Sequence, residues 1–128
     1  MKKIKAKFRI IIERTEYGFS AYSSNYNICT TGQTIAELQV NILEAFNLYF
    51  ENEGTYVSNS NLEMRIDFKQ FFQFYRVLNA KYLADRIGMN PSLLSQYVQG
   101  KKIPSAAQTN KIILGINQIG EELCALKF

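Results

Sequence analysis

Residues 3–12 alternate between apolar and cationic side chains, with Ile4, Ala6, Phe8, Ile10 and Ile12 on one face and Lys3, Lys5, Lys7 and Arg9 on the other. A period of two over this length predicts a strand with one buried face. Lysines on an exposed strand discourage edge-to-edge pairing, and the same row is a candidate contact for an acidic partner. Thr15-Glu16-Tyr17-Gly18 reads as a hairpin turn with Gly18 free to take positive φ. Two shorter strands are expected near 18–24 and 27–32. Thr34-Ile35-Ala36-Glu37 has the form of a capping box. After it, Ile35, Leu38, Ile42, Ala45, Phe46 and Tyr49 recur every three or four residues, predicting an amphipathic helix that ends near Glu53-Gly54. Leu62, Met64 and Ile66 alternate with Glu63, Arg65 and Asp67, a fourth strand. The first 67 residues therefore predict an α+β domain of order β-β-β-α-β.

Beyond Asp67 the period changes to between three and four and stays there, so residues 68–128 are expected to form an all-α domain. Asp67 and Gln70 offer a cap for an aromatic helix carrying Phe68, Phe71, Phe72, Tyr75 and Leu78. Residues 80–99, AKYLADRIGMNPSLLSQYVQ, hold the pattern of two helices crossing through a tight turn. Ala84 is the small residue at the crossing and Gly88 the turn, while Leu83, Ile87, Met89, Leu94 and Tyr97 supply the apolar positions. Asn79 and Asn90 are candidate N-caps, with Pro91 at the favoured first helical position. Ser105 to Gln108 repeats the capping pattern ahead of Ile112, Ile116, Ile119, Leu123 and Leu126. This heptad-like seam serves either the domain's own core or a dimer face, and Gly115 and Gly120 weaken the long helix it implies.

Composition narrows the chemistry. The 128 residues are 47% hydrophobic and 20% charged, as in globular proteins, and no apolar run reaches the ~18 residues of a membrane span. Lys5, Lys7 and Arg9 interrupt any signal-peptide apolar core, and a cytoplasmic protein is expected. With no histidine, His-dependent triads and His-ligated metals are excluded, and no glycine loop or ligand cluster suggests a cofactor. Cys29 and Cys124 match no metal spacing and read as free thiols. The net charge of +4 falls entirely in residues 62–128; between 76 and 111, Arg76, Lys81, Arg86, Lys101, Lys102 and Lys111 face only Asp85. Such an excess on a small helical module is a footprint for a polyanion, or else a solvated basic surface.

The segment 80–99, with the serine, SQ and G-K-K-x-P-S elements within Asn90 to Ser105, resembles the lambda-repressor-like (XRE) helix-turn-helix family over about residues 68–125. The resemblance implies that helix 91–99 enters the DNA major groove, with Asn90 at its cap and Ser92, Leu93, Ser95, Gln96 and Gln99 exposed. Gln96 is the prime candidate for base readout, because an amide pairs bidentately with adenine. Asn90, Ser92 and Ser95 read bases or hold phosphates, with Gln99 further along the same helix. Lys101, Lys102, Lys81 and Asn79 match the family's backbone contacts, helped by helix N-terminal amides. A two-fold dimer or higher even oligomer on a palindromic double-stranded operator is the expected form.

The first half is similar to the HicB antitoxin family. The resemblance rests on a strand, the E-x-x-x-x-G turn from Glu13 to Gly18, F-S-A-Y, a cysteine followed by T-G-x-T-x-x-E-L, and the helix ending ILEAFNLYFE at 42–51. It departs from that family at 23–28, where SSNYNI replaces a proline-containing loop. It implies a degenerate RNase H-like fold that blocks a small, basic, HicA-like RNA-cleaving toxin, in a protein that represses its own operon. Glu13, Glu16, Glu37, Glu44, Glu51 and Glu53 are candidate acidic contacts for that toxin, and Tyr17, Tyr22 and Tyr26 candidate anchors. Two-metal nuclease chemistry needs clustered carboxylates, and the first 61 residues have no aspartate, so no enzyme is expected. The rival readings are a stand-alone phage-type repressor whose first half oligomerises or senses a ligand, and a single-strand binder stacking bases on its aromatics. The last is disfavoured because most aromatics fall on apolar stripes.

Overall fold

In a computed structural model describing Met1–Phe128, the alternating N-terminal segment does not run as one strand. Lys2–Lys3 (β1) pair in parallel with Thr55–Tyr56 (β5) in a separate two-stranded sheet, and the long strand begins only at Phe8–Thr15 (β2). Residues 4–7 in between are held by other means. The Ile4 amide donates to the Tyr56 carbonyl, and the side-chain amide of Asn61 donates to the carbonyls of Ile4 and Ala6 at 2.8 Å each. Alternation reports which side is buried, but it carries no information about a carbonyl captured by a distant asparagine.

The main sheet has the order β4-β3-β2-β6, with β3 at Gly18–Ser23, β4 at Cys29–Gly32 and β6 at Leu62–Ile66. β2 pairs antiparallel with β3 (Ile12↔Ala21) and parallel with β6 (Ile10↔Met64), so it is an interior strand. The edge-guarding reading of its cationic row therefore does not hold for Arg9. Between β3 and β4, Ser23 Oγ accepts from the amides of Asn25 and Tyr26, an arrangement that delays β4 to Cys29.

The helix Ile35–Tyr49 (α1) starts where its capping box says. Thr34 Oγ1 accepts from the Glu37 amide, while the Glu37 carboxylate accepts from Gln33, one residue ahead of the cap. Its buried stripe is Leu38, Ile42 and Phe46; Ile35 and Tyr49 are exposed. The stripe packs over the β3–β4 side of the sheet against Phe8, Ile10, Ile12 and Ala21. Each such buried aliphatic or aromatic side chain contributes about 1.5–3 kcal/mol. A short 3-10 turn at Glu51–Glu53 follows, closed by Gly54 in the left-handed region at φ 65°. Gly18 serves a close approach: a Cβ there would sit 2.3 Å from the Gly32 carbonyl oxygen.

The aromatic helix Phe68–Phe74 (α2) belongs with the sheet and does not open the helical module. The chain divides into units Met1–Phe74 and Tyr75–Phe128, a boundary seven residues later than the change of period suggests. Asp67 caps α2 by accepting from the Gln70 amide, and the Asp67 amide itself donates to Ile12. Gln70 then exchanges two hydrogen bonds with the backbone of Arg14, at 2.8 and 2.6 Å. The Arg14 guanidinium lies over the rings of Phe19 and Phe74.

The second unit contains Ala80–Ile87 (α3), Pro91–Val98 (α4) and Ala106–Cys124 (α5). Leu83, Ala84, Met89, Leu94, Tyr97 and Ile112 form its hydrophobic core, Pro104 and Gly115 are also buried, and Ile87 is half-buried. Gly115 does not weaken α5 here but lets α3 approach it, since a Cβ at that position would meet Ile87 Cγ2 at 2.2 Å. The apolar seam of α5 is closed at one end only. Ile112 is buried and Ile116 and Ile119 are half-buried, while Leu123 is exposed and Leu126, also exposed, lies beyond the end of the helix. The ion pair between Arg86 and Glu122 ties α3 to the open end.

Candidate nucleic-acid interface

The turn between α3 and α4 is built from three local devices. Asn79 caps α3, its side-chain oxygen accepting from the Tyr82 amide at 3.1 Å. Gly88 ends α3 at φ 70°, a left-handed conformation that glycine adopts without the Cβ penalty, and the Met89 amide returns to the Ala84 carbonyl. Asn90 caps α4 by accepting from the amides of Ser92 (2.8 Å) and Leu93 (3.4 Å). The Asn90 side-chain oxygen accepts two bonds in its cap and that of Asn79 one, while both side-chain nitrogens remain free to donate. The caps also occupy the amide of Tyr82 in α3 and those of Ser92 and Leu93 in α4.

At the far end, Gly100 is left-handed at φ 76°, and the amides of Lys101 and Lys102 both return to the Gln96 carbonyl. That closure fixes the two lysines, both exposed, immediately past α4. Along the helix, Ser92 and Gln99 are exposed, as expected. Leu93, Ser95 and Gln96 are half-buried and not fully exposed, a correction that follows from α4 lying closely against the rest of the unit. Ser95 Oγ accepts from the Gln99 side-chain amide at 3.1 Å, so these two polar groups orient one another.

Charge reinforces the arrangement. Residues 75–128 hold seven basic side chains and three acidic ones, against eight and eight in residues 1–74. Two of the seven are engaged internally: Arg86 pairs with Glu122, and the Lys111 ammonium donates to the Gly88 carbonyl at 3.2 Å. Pattern reading counted both only as surface charge; the left-handed glycine with its exposed carbonyl was the available signal for Lys111. Lys81, Lys101 and Lys102 stay exposed beside the capped ends of α3 and α4.

In the first unit the suggested anchors behave differently. Tyr17 is 83% exposed at the hairpin tip, whereas the Tyr26 ring packs against Phe8, Tyr49 and Phe50. The Tyr22 hydroxyl is pushed above its ordinary pKa of 10.0, first by burial and then by the charge of Glu13, a hydrogen bond to it, and Asp67. Glu16, Glu44, Glu51 and Glu53 are exposed, Glu13 is half-buried, and Glu37 is spent on its cap. Cys29 and Cys124 are free and exposed. No three His, Cys, Asp or Glu side chains gather as a metal site, and no helix is long and apolar enough to cross a membrane. Compared with known proteins, the chain matches no family model, no curated protein and no solved structure.

Proposed function

We propose that this protein is a sequence-specific DNA-binding repressor of the helix-turn-helix type, whose first unit acts as a HicB-like antitoxin against a small basic toxin. The observation that carries the reading is α4: an eight-residue helix capped by Asn90, presenting Ser92, Gln96 and the Ser95–Gln99 pair, and ending in two exposed lysines. The major groove admits a helix of this kind, with side chains near its N-terminus at base edges. Gln96 reads a base, the adenine edge being the best complement to a carboxamide. Lys101, Lys102, Lys81 and the amide nitrogens of Asn79 and Asn90 hold phosphates and set the register. The Ser95–Gln99 bond stiffens the reading face. Binding as a homodimer on a two-fold site suits the small span of one unit, and the exposed Leu123 and Leu126 favour a seam completed by a second copy.

The antitoxin half of the proposal rests on the HicB resemblance of residues 3–67 and on the β-β-β-α-β order of the main sheet and α1 (β2, β3, β4, α1, β6), with exposed glutamates and Tyr17 as the surface offered to a cationic partner. Gel-shift titration on the protein's own promoter tests the first half. Gln96→Ala is expected to cost ~1–3 kcal/mol and relax preference at one base pair, while Lys101→Ala weakens all sequences alike and lowers the salt slope by about one. If neither substitution changes binding, α4 does not lie in the groove. Co-expression with the product of an adjacent short reading frame tests the second half. Co-purification and rescued growth support the antitoxin; absence of both leaves a stand-alone repressor.

A further inference from the structure

Far from α4 in sequence, the first unit gathers two lysines and two serines around one loop. The Lys3 ammonium donates to Ser60 Oγ at 2.6 Å, the Lys7 ammonium donates to the Ser60 carbonyl at 3.1 Å, and Ser58 Oγ lies 2.8 Å from Ser60 Oγ. Two ammonium groups thus converge on a single exposed residue whose atoms are all neutral. Neither lysine is paired with a carboxylate; the ion pair the structure forms is between Arg86 and Glu122. No acidic residue occurs in residues 1–12 or 54–62, the two segments that build the cluster.

The convergence is held from beneath by Asn61, which is 4% exposed. Its side-chain oxygen accepts from the Ser58 amide (3.0 Å) and Ser58 Oγ (3.3 Å), while its nitrogen donates to the Ile4 and Ala6 carbonyls. One buried carboxamide therefore fixes both the loop and the lysine-bearing segment. Like-charged side chains in free chains move apart; here the backbone on which they stand is pinned on both sides. Edge protection does not account for Lys7, which precedes an interior strand. Lys5 lies between Lys3 and Lys7 in sequence and Lys2 and Arg9 flank them, all three exposed.

We propose that Lys3, Lys7, Ser58 and Ser60 form a phosphate-binding site that seats one backbone phosphate of DNA, independently of the α4 contact. The two ammonium groups supply charge, the two hydroxyls supply donors, and the phosphate replaces the neutral Ser60 oxygens as the lysines' acceptor. A nucleic-acid backbone suits the site better than a free anion, because the site is open and its neighbours extend the positive charge along the chain. The cluster stands on its own geometry, while its assignment to DNA rests on the function proposed above.

The test uses the full chain and a random-sequence DNA duplex, with affinity measured across a salt series. Substituting Lys3→Ala and Lys7→Ala together is expected to reduce the slope of log affinity against log salt by about one, the share of a single phosphate. Lys3→Arg with Lys7→Arg should retain most of that slope, which a purely structural role in the loop would not require. In parallel, amide NMR shifts of Ser58 and Ser60 are followed with the duplex and with inorganic phosphate. Shifts at both residues with duplex, lost in the double alanine variant, support the site. An unchanged slope overturns it, as do shifts with inorganic phosphate alone, which would mark a free-anion site. Substituting Lys101 and Lys102 in the same series separates the two proposals, since a loss there with no effect of Lys3 and Lys7 upholds α4 alone.

Discussion

Asn61 shows how far one side chain can reach: it spans 57 residues of sequence to hold the Ile4 carbonyl. Asn61→Ala leaves the Ser58 amide and two carbonyls without their partner, at about 1–3 kcal/mol for each group that water cannot reach. A fall of that order in the unfolding free energy from urea titration, with β2 amides still protected from exchange, is expected. Gly115 is a second such position. Gly115→Ala drives a methyl into Ile87 Cγ2, a branched group with little room to rotate, and should cost about 1–3 kcal/mol. Pairing it with Ile87→Ala should recover part of the loss, read by denaturant titration of single and double variants. Tyr22 provides a pH signature. Its folded pKa is raised, so the folded state holds the phenolic proton more tightly than the unfolded chain does. That contribution is complete below pH 10 and is lost as pH climbs through the raised value. The wild-type urea midpoint should therefore fall more steeply than that of Tyr22→Phe above pH 10.

At the scale of elements, caps and turns were the most legible features. Thr34, Asn79, Asn90 and Ser105 each cap the helix that pattern assigns to them, because a cap is a bond between neighbours in sequence. Replacing Asn90 by Ala should lower stability by ~1 kcal/mol, and more visibly loosen the first turn of α4, measured as faster amide exchange at Ser92 and Leu93. The elements that escaped prediction depend on partners remote in sequence. The two-residue pairing of β1 with β5 and the gap at 4–7 are set by Tyr56 and Asn61, which no local pattern contains. Gln96 illustrates the same limit at the candidate interface. Its place on the outer side of α4 was readable from helical spacing, but its half-burial comes from packing of the unit around it. The engagement of Lys111 with Gly88 is likewise a meeting of two elements.

For the molecule as a whole, the sheet unit ends at Phe74, and α2 is part of it. A period of three to four says helix but not which core the helix serves; the two bonds between Gln70 and Arg14 settle that for α2. A fragment ending at Asp67 should be less stable than one ending at Phe74 by about 2 kcal/mol from those bonds alone, a difference visible in parallel urea titrations. The parallel pairing of β2 with β6 has a further consequence for synthesis. As the chain leaves the ribosome, β2 and β3 can join as soon as residue 23 is free, but the other flank of β2 stays bare until residues 62–66 emerge. Over that interval the nascent hairpin carries an apolar, unpaired strand margin, the kind of surface that recruits chaperones or a neighbouring nascent chain. Slowing translation between codons 24 and 61 should therefore lower the soluble yield, even though the finished protein is unaltered.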